Sequence, residues 1–266
     1  MLQFSSIYLD KPIISGRVVD IFIPELITQN IALFFVHGGG WRGGSRNIFH
    51  HIIAEYSEQG FICASTDYRL NGVNAFEQIF DIRCAYNLFI AKLLDIGREP
   101  RILVIGSSAG AHLASLMTLT TPGECGEPVE QSGLENYSNE WVKPCGGAFQ
   151  ATPVTFEPWT DIFPAIWSSM QNIASETYIT EATAYRKLSL NNYLKRDNPP
   201  LFFLEAENEH MFPSAMTREF TEQHNKLGVN SQWKQYPRTE HGFFYDLTRW
   251  QQREAFDDIK KFAESL

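Results

Sequence analysis

Gly106-Ser107-Ser108-Ala109-Gly110 spells G-x-S-x-G, preceded by the apolar run RILVI and followed by the helix-forming AHLASLMTL. Such a pentapeptide alone would arise by chance in about one chain in ten of this size, so its setting decides its value. Between a strand and a helix, two glycines permit a tight, strained turn that lifts the middle hydroxyl above a sheet. Ser108 is that residue and the candidate nucleophile, whereas Ser107 lies one position off and suits turn hydrogen bonding. His37-Gly38-Gly39-Gly40-Trp41 follows a second apolar run. Consecutive glycines let backbone N–H groups approach a ligand, and acyl transfer needs two or three such donors where the oxyanion of a tetrahedral intermediate forms. Gly39, Gly40 and Ala109 are the candidate donors of such an oxyanion hole.

A serine hydroxyl is a poor nucleophile until a base takes its proton, and a carboxylate must hold that base in the right tautomer. Near the C-terminus, EHGFF places His241 before Gly242 and after a strand-length run, on a loop at the end of a sheet. His241 is the candidate base. His37, His50, His51, His112 and His224 read as structural, within the glycine loop or on helix faces. For the acid, EAENEHMFP offers Glu205, Glu207 and Glu209, all in the order nucleophile, acid, histidine. A loop must leave its strand before it can present a carboxylate to the histidine, which ranks Glu209 first and Glu207 second.

Strand-length apolar runs and helix-period segments alternate along the chain, the pattern of a mostly parallel sheet covered on both faces by helices. Strands are expected at Val18–Pro24, Ile31–His37, Phe61–Thr66, Arg101–Gly106, Gly146–Phe149, Pro200–Glu205 and Ser231–Pro237. Apolar residues at three- and four-residue steps mark helices around Phe76–Leu93 and Phe256–Leu266, with shorter ones around Ile48–Tyr56 and Met216–Leu227. Residues 121–141, rich in Gly, Pro, Glu, Ser and Asn, read as an inserted loop. Residues 150–185 carry scattered aromatics without a single period and read as a small irregular cap on one α/β domain spanning residues 1–266. Trp41, Phe149, Trp159, Phe212 and Phe243 are candidate walls of an aromatic substrate pocket.

The chain has 266 residues, enough for one large core, and 22 Lys+Arg against 31 Asp+Glu give a formal charge of -9. That charge repels a phosphate backbone and excludes nucleic acid as the expected partner. No apolar run approaches the roughly 18 residues a membrane helix needs, so no integral membrane segment is expected. MLQFSSIYLDKP has no basic region followed by an apolar one, which sets the expectation of a cytoplasmic chain, or a secreted one if a signal has been removed. Of the four cysteines, Cys63 and Cys84 read as core, and Cys125 and Cys145 as unpaired thiols in preference to a bridge. No metal or organic cofactor is implied: His50 and His51 are adjacent, without the spacing that sets two ligands on one helix face. The pattern carries no signal for oligomeric state.

Taken in order, HGGGW at 37–41, DYRL at 67–70, the helix carrying Asp81, GSSAGAHLA at 106–114, ENEHMFP at 207–213 and EHGFF at 240–244 resemble the α/β-hydrolase superfamily. Within it, the chain is similar to carboxylesterases of the hormone-sensitive-lipase kind and to compact bacterial feruloyl and acetyl esterases. The resemblance implies Ser108 as nucleophile, His241 as base and Glu209 where most relatives carry aspartate, with Asp67 and Arg69 anchoring loops near the site. It also implies hydrolysis of short-chain or phenolic esters, free or linked to a polysaccharide, through an acyl-enzyme. An amide hydrolase of the kynurenine formamidase kind is the alternative, and a non-catalytic binding protein on the same fold the lesser one.

Overall fold

A computed structural model describes residues 2–128 and 141–266. Among the described residues, eight strands form one sheet in the order β1-β2-β4-β3-β5-β6-β7-β8. They are β1 (Gln3–Tyr8), β2 (Val18–Ile23), β3 (Ala32–Val36), β4 (Cys63–Thr66), β5 (Ile102–Ser107), β6 (Gly146–Gln150), β7 (Leu201–Asn208) and β8 (Gln232–Glu240). β2 runs antiparallel to both β1 and β4, and every pairing from β4 through β3 to β8 is parallel. The helices are α1 (His50–Glu58), α2 (Ala75–Asp95), α3 (Ala109–Leu119), α4 (Pro164–Ala174), α5 (Ala182–Lys187), α6 (Ser214–Lys226) and α7 (Trp250–Ser265).

The uninterrupted apolar runs of the central strands follow from burial on both faces, where successive side chains feed opposite cores. Phe34, Val36, Ile102, Val104, Leu201 and Phe203 join the core beneath α2, α3 and α6. Their neighbours Leu33, Phe35, Leu103, Ile105, Phe202 and Leu204 join the one beneath α1 and α7. At its N-terminus α2 is fixed by a capping box: Glu77 N–H donates to Asn74 Oδ1 at 3.0 Å and Asn74 N–H to Glu77 Oε2 at 2.9 Å.

All seven expected strands are present, and β1 is an addition. QFSSIY lies at the sheet edge and is exposed at almost every position, so neither face imposes the apolar pattern by which a strand is read. β8 runs on to Glu240, past Pro237, with a register irregularity against β7 between Ala206 and Asn208. The 150–185 segment is more regular than its aromatic scatter suggests. After an irregular stretch it forms α4 and α5, and Met170, Ile173 and Tyr185 are buried in the core on the α2 side.

Most of the inserted loop, 129–140, lies outside the described residues. Its described ends are anchored. The Arg83 guanidinium, wholly buried, donates to Glu127 Oε1 at 2.6 Å and Thr120 Oγ1 at 2.7 Å, and the Trp141 ring lies 4.9 Å from it. Cys125 and Cys145 are thiols, not a bridge. No helix among the described residues is long and apolar enough to cross a membrane.

Candidate active site

The loop between β5 and α3 carries Ser108 at φ +54°, in the left-handed region that a serine enters only when its surroundings force it. The force comes from the flanking glycines. A Cβ added at Gly110 would lie 2.2 Å from the His37 carbonyl oxygen and 2.3 Å from that of Val36. One added at Gly106 would lie 2.8 Å from Ala111 Cα. These are backbone contacts that cannot yield, so the start of α3 is pressed onto the end of β3 and only glycine fits. Ser108 N–H donates to Gln150 O at 2.8 Å, tying the turn to the end of β6.

His241 Nδ1 lies 2.8 Å from Glu209 Oε2 and 3.0 Å from Oε1, and its Nε2 lies 2.9 Å from Ser108 Oγ. A carboxylate only accepts, so the ring proton sits on Nδ1 and leaves Nε2 free to take a proton from the serine. Glu209 Oε1 also accepts from Met211 N–H at 2.8 Å and Phe212 N–H at 3.4 Å. Burial pushes the Glu209 carboxyl upward, but the hydrogen bond and charge of His241, with those two N–H groups, outweigh it and hold the carboxyl below its ordinary value.

The other two glutamates point elsewhere. Glu207 Oε2 is exposed and accepts from Arg238 N–H at 2.7 Å, steadying a residue at φ +56°. Glu205 is buried, accepts from Thr217 Oγ1 at 2.9 Å, and burial pushes its carboxyl well above the ordinary range, with Glu209 adding to the effect.

The glycine loop is held from below. A Cβ added at Gly38 would lie 2.4 Å from the Tyr245 hydroxyl, 2.7 Å from Ser107 O and 3.1 Å from Ser108 Cβ, so this glycine lets the loop touch the serine turn. Gly39 and Gly40 follow at positive φ and reach the surface. Among the described residues, the N–H groups of Gly39, Gly40 and Ala109 donate to no protein acceptor. His37 is buried, its ring stacked on Tyr68 at 4.4 Å, and Tyr68 Oη donates to His37 O at 2.9 Å. Asp67 Oδ1 accepts from Arg46 N–H at 2.6 Å, which fastens the far end of the loop. Asp81 accepts from Arg69 Nε at 2.8 Å and from Arg17 Nη1. The DYRL stretch is therefore bracing, as the resemblance implies.

Sequence reasoning overlooked Tyr245. It sits four positions after His241 with its hydroxyl under Gly38. Burial pushes its phenol up, while hydrogen bonds with Ser107 and the Gly38 backbone work the other way. Its only sequence signal was proximity to EHGFF.

Four of the five proposed pocket aromatics, Phe212 among them, are buried in a core, and Trp159 is packed against one. Trp41 is 1% exposed and Phe149 0%, both within the α2-side core, and Phe243 at 7% packs on the opposite face. Side-chain type alone does not separate a pocket wall from a core. Phe212 and Trp159 remain near the chemistry: the Phe212 ring is 5.9 Å from that of His241 and 6.5 Å from that of Trp159. Among the described residues no group of three His, Cys, Asp or Glu converges to hold a metal. His50 and His51 turn to different carboxylates, Asp20 at 3.0 Å and Asp246 at 3.6 Å.

The BD-FAE family matches residues 19–224 of this sequence. The chain belongs to the BD-FAE family. Among curated proteins this family member is 26% identical over 217 residues to a probable carboxylic ester hydrolase, LipM, of Mycobacterium tuberculosis, covering 79% of this chain and 49% of that protein. The chain spans about half the length of the curated relatives it matches first. Among solved structures it superposes on esterase B of Lactobacillus rhamnosis with a TM-score of 0.79 at 17% identity, covering 99% of this chain and 85% of that one. On Thermogutta terrifontis esterase 2 phosphonylated by sarin, the TM-score is 0.77 at 17% identity, covering 98% and 94%. The fold of this BD-FAE chain is that of the α/β-hydrolases.

Proposed function

We propose that the chain is a serine-dependent carboxylic ester hydrolase acting through an acyl-enzyme. The observation that carries this reading is the unbroken hydrogen-bond chain from Glu209 through His241 to a serine on a positive-φ turn. His241 Nε2 takes the proton of Ser108 Oγ as that oxygen attacks the ester carbonyl, while Glu209 stabilises the imidazolium that forms. The N–H groups of Gly39, Gly40 and Ala109 receive the oxyanion. Collapse expels the alkoxide, which takes the proton from His241, and water repeats the sequence to free the acid. The relatives named as esterases support the same class of substrate.

For the acyl group we infer short-chain or phenolic acids, acetyl or feruloyl in type, borne by a small alcohol or a polysaccharide. The Trp159–Phe212 pair beside His241 supports an aromatic acyl partner. The test is hydrolysis of p-nitrophenyl esters from acetate to decanoate and of methyl ferulate, with Ser108→Ala in parallel. Turnover that falls on the order of 10⁴-fold or more in Ser108→Ala is expected. Retained turnover in that variant overturns the mechanism, and a folded wild type inactive on every ester overturns the substrate class.

A further inference from the structure

We infer that His112 is a positioning residue that locks the glycine loop to the serine turn. The inference rests on the ester-hydrolase reading above. His112 lies in the first turn of α3, and its backbone N–H donates to Ser108 O at 3.0 Å, so the stretch of helix that carries the imidazole continues directly from the nucleophile's own residue. The ring is wholly buried. Its Nε2 lies 2.7 Å from Leu188 O. A carbonyl only accepts, so Nε2 carries the proton and Nδ1 is left as an acceptor. Trp41 Nε1–H donates to that Nδ1 at 3.3 Å.

Trp41 needs such a hold. It follows Gly40 directly and sits at φ +62°, in the left-handed region where a bulky side chain is strained. Its indole meets His112 edge-on at 5.7 Å and Phe156 at 5.4 Å, and its carbonyl accepts from Gln78 Nε2 at 2.8 Å. The His112 ring also stacks on Phe156 at 4.3 Å. One residue thus joins the serine turn through its backbone, and through its neutral imidazole the glycine loop and, by way of Leu188 and Phe156, the segment after β6. Without the acceptor at Nδ1 the Trp41 N–H is buried unpaired, the strained residue relaxes, and the Gly39 and Gly40 N–H groups shift relative to Ser108 Oγ. A displacement of about 1 Å at reacting groups costs up to about a hundredfold in rate.

The experiment measures kcat and KM for p-nitrophenyl acetate per active site, with sites counted by the p-nitrophenolate burst from a p-nitrophenyl phosphonate. Glutamine at 112 keeps a donor for Leu188 O and loses the Trp41 acceptor; asparagine places a carbonyl oxygen where Nδ1 stood. In His112→Gln, kcat per site falls about tenfold with KM within twofold of wild type, and His112→Asn recovers most of the loss. In a Trp41→Phe background, which has no indole donor, His112→Gln costs less than twofold. A role in folding alone would lower the number of titrated sites and leave kcat per site unchanged. That result overturns the inference, as does an equal loss in both backgrounds. If His112→Gln does not fold, Trp41→Phe against wild type carries the test: a similar drop in kcat per site supports the lock, and none overturns it. Inactive wild type overturns the ester-hydrolase reading and this inference together, whereas active wild type with unchanged His112 variants overturns this inference alone.

Discussion

The serine half of the site and the acid–base half are built differently. Ser108 is held by backbone pressed on backbone, with Gly106, Gly110 and Gly38 each at a place where an added Cβ would overlap a neighbour. Glu209 and His241 stand beyond the ends of β7 and β8 and are held by side-chain hydrogen bonds and two peptide N–H groups. The first arrangement tolerates no substitution in its glycines. The second rests on side-chain reach, and on the proposed mechanism Glu209 stands where the resemblance implies an aspartate in most relatives.

The sharpest way to break the comparison is Gly110→Ala. Its new methyl would meet two carbonyl oxygens of β3 and its following loop, and α3 would have to lift from the sheet. A loss above about 3 kcal/mol in urea unfolding is expected, or no folded protein; a stable, active variant would show that the turn is not backbone-locked. Next comes Glu209→Gln, which keeps the shape but removes the charge that orients and stabilises His241. A fall in kcat on the order of 10³-fold is expected with little change in melting temperature.

His112 gives a third test, through pH. Burial, only partly opposed by the bond to Leu188 O, lowers its pKa to about 4. The unfolded chain takes up that proton near the ordinary value of about 6.5. Between those values the unfolded state binds more protons, so stability falls as pH drops from 6.5 toward 4, by at most about 3 kcal/mol from this group. The difference in unfolding free energy between wild type and His112→Gln, followed from pH 7 to 4, should narrow by that order. A constant difference would place the titration elsewhere. The smallest effect is expected from Glu207→Gln, less than about threefold in kcat, because Glu207 only steadies the turn at Arg238. A larger loss there than in Glu209→Gln would reverse the assignment of the acid.

This division also explains what was legible in the sequence. Backbone crowding leaves glycines at fixed offsets, so the serine turn and the HGGGW loop could be read directly. Burial on both faces leaves continuous apolar strands, so the central sheet could be read too. β1 escaped notice because an exposed edge imposes no pattern. The acid could be ranked but not singled out, since Glu205, Glu207 and Glu209 differ only in where a loop turns after β7. Trp41, Phe149 and Phe243 could not be assigned to a pocket or a core, because an aromatic ring serves both equally well. The Tyr245 contact with Gly38 and the junction at His112 join residues far apart in sequence, and no spacing pattern marks either.

Ser108 and His241 stand 133 positions apart in the chain. During synthesis the strand and helix around the serine therefore leave the ribosome well before the residue that would deprotonate it. A serine without its base is scarcely reactive, so the nascent protein carries its nucleophile in an inert form. On the proposed mechanism, reactivity therefore waits on β8, the last strand in the chain and an edge of the sheet, to bring His241 to Ser108.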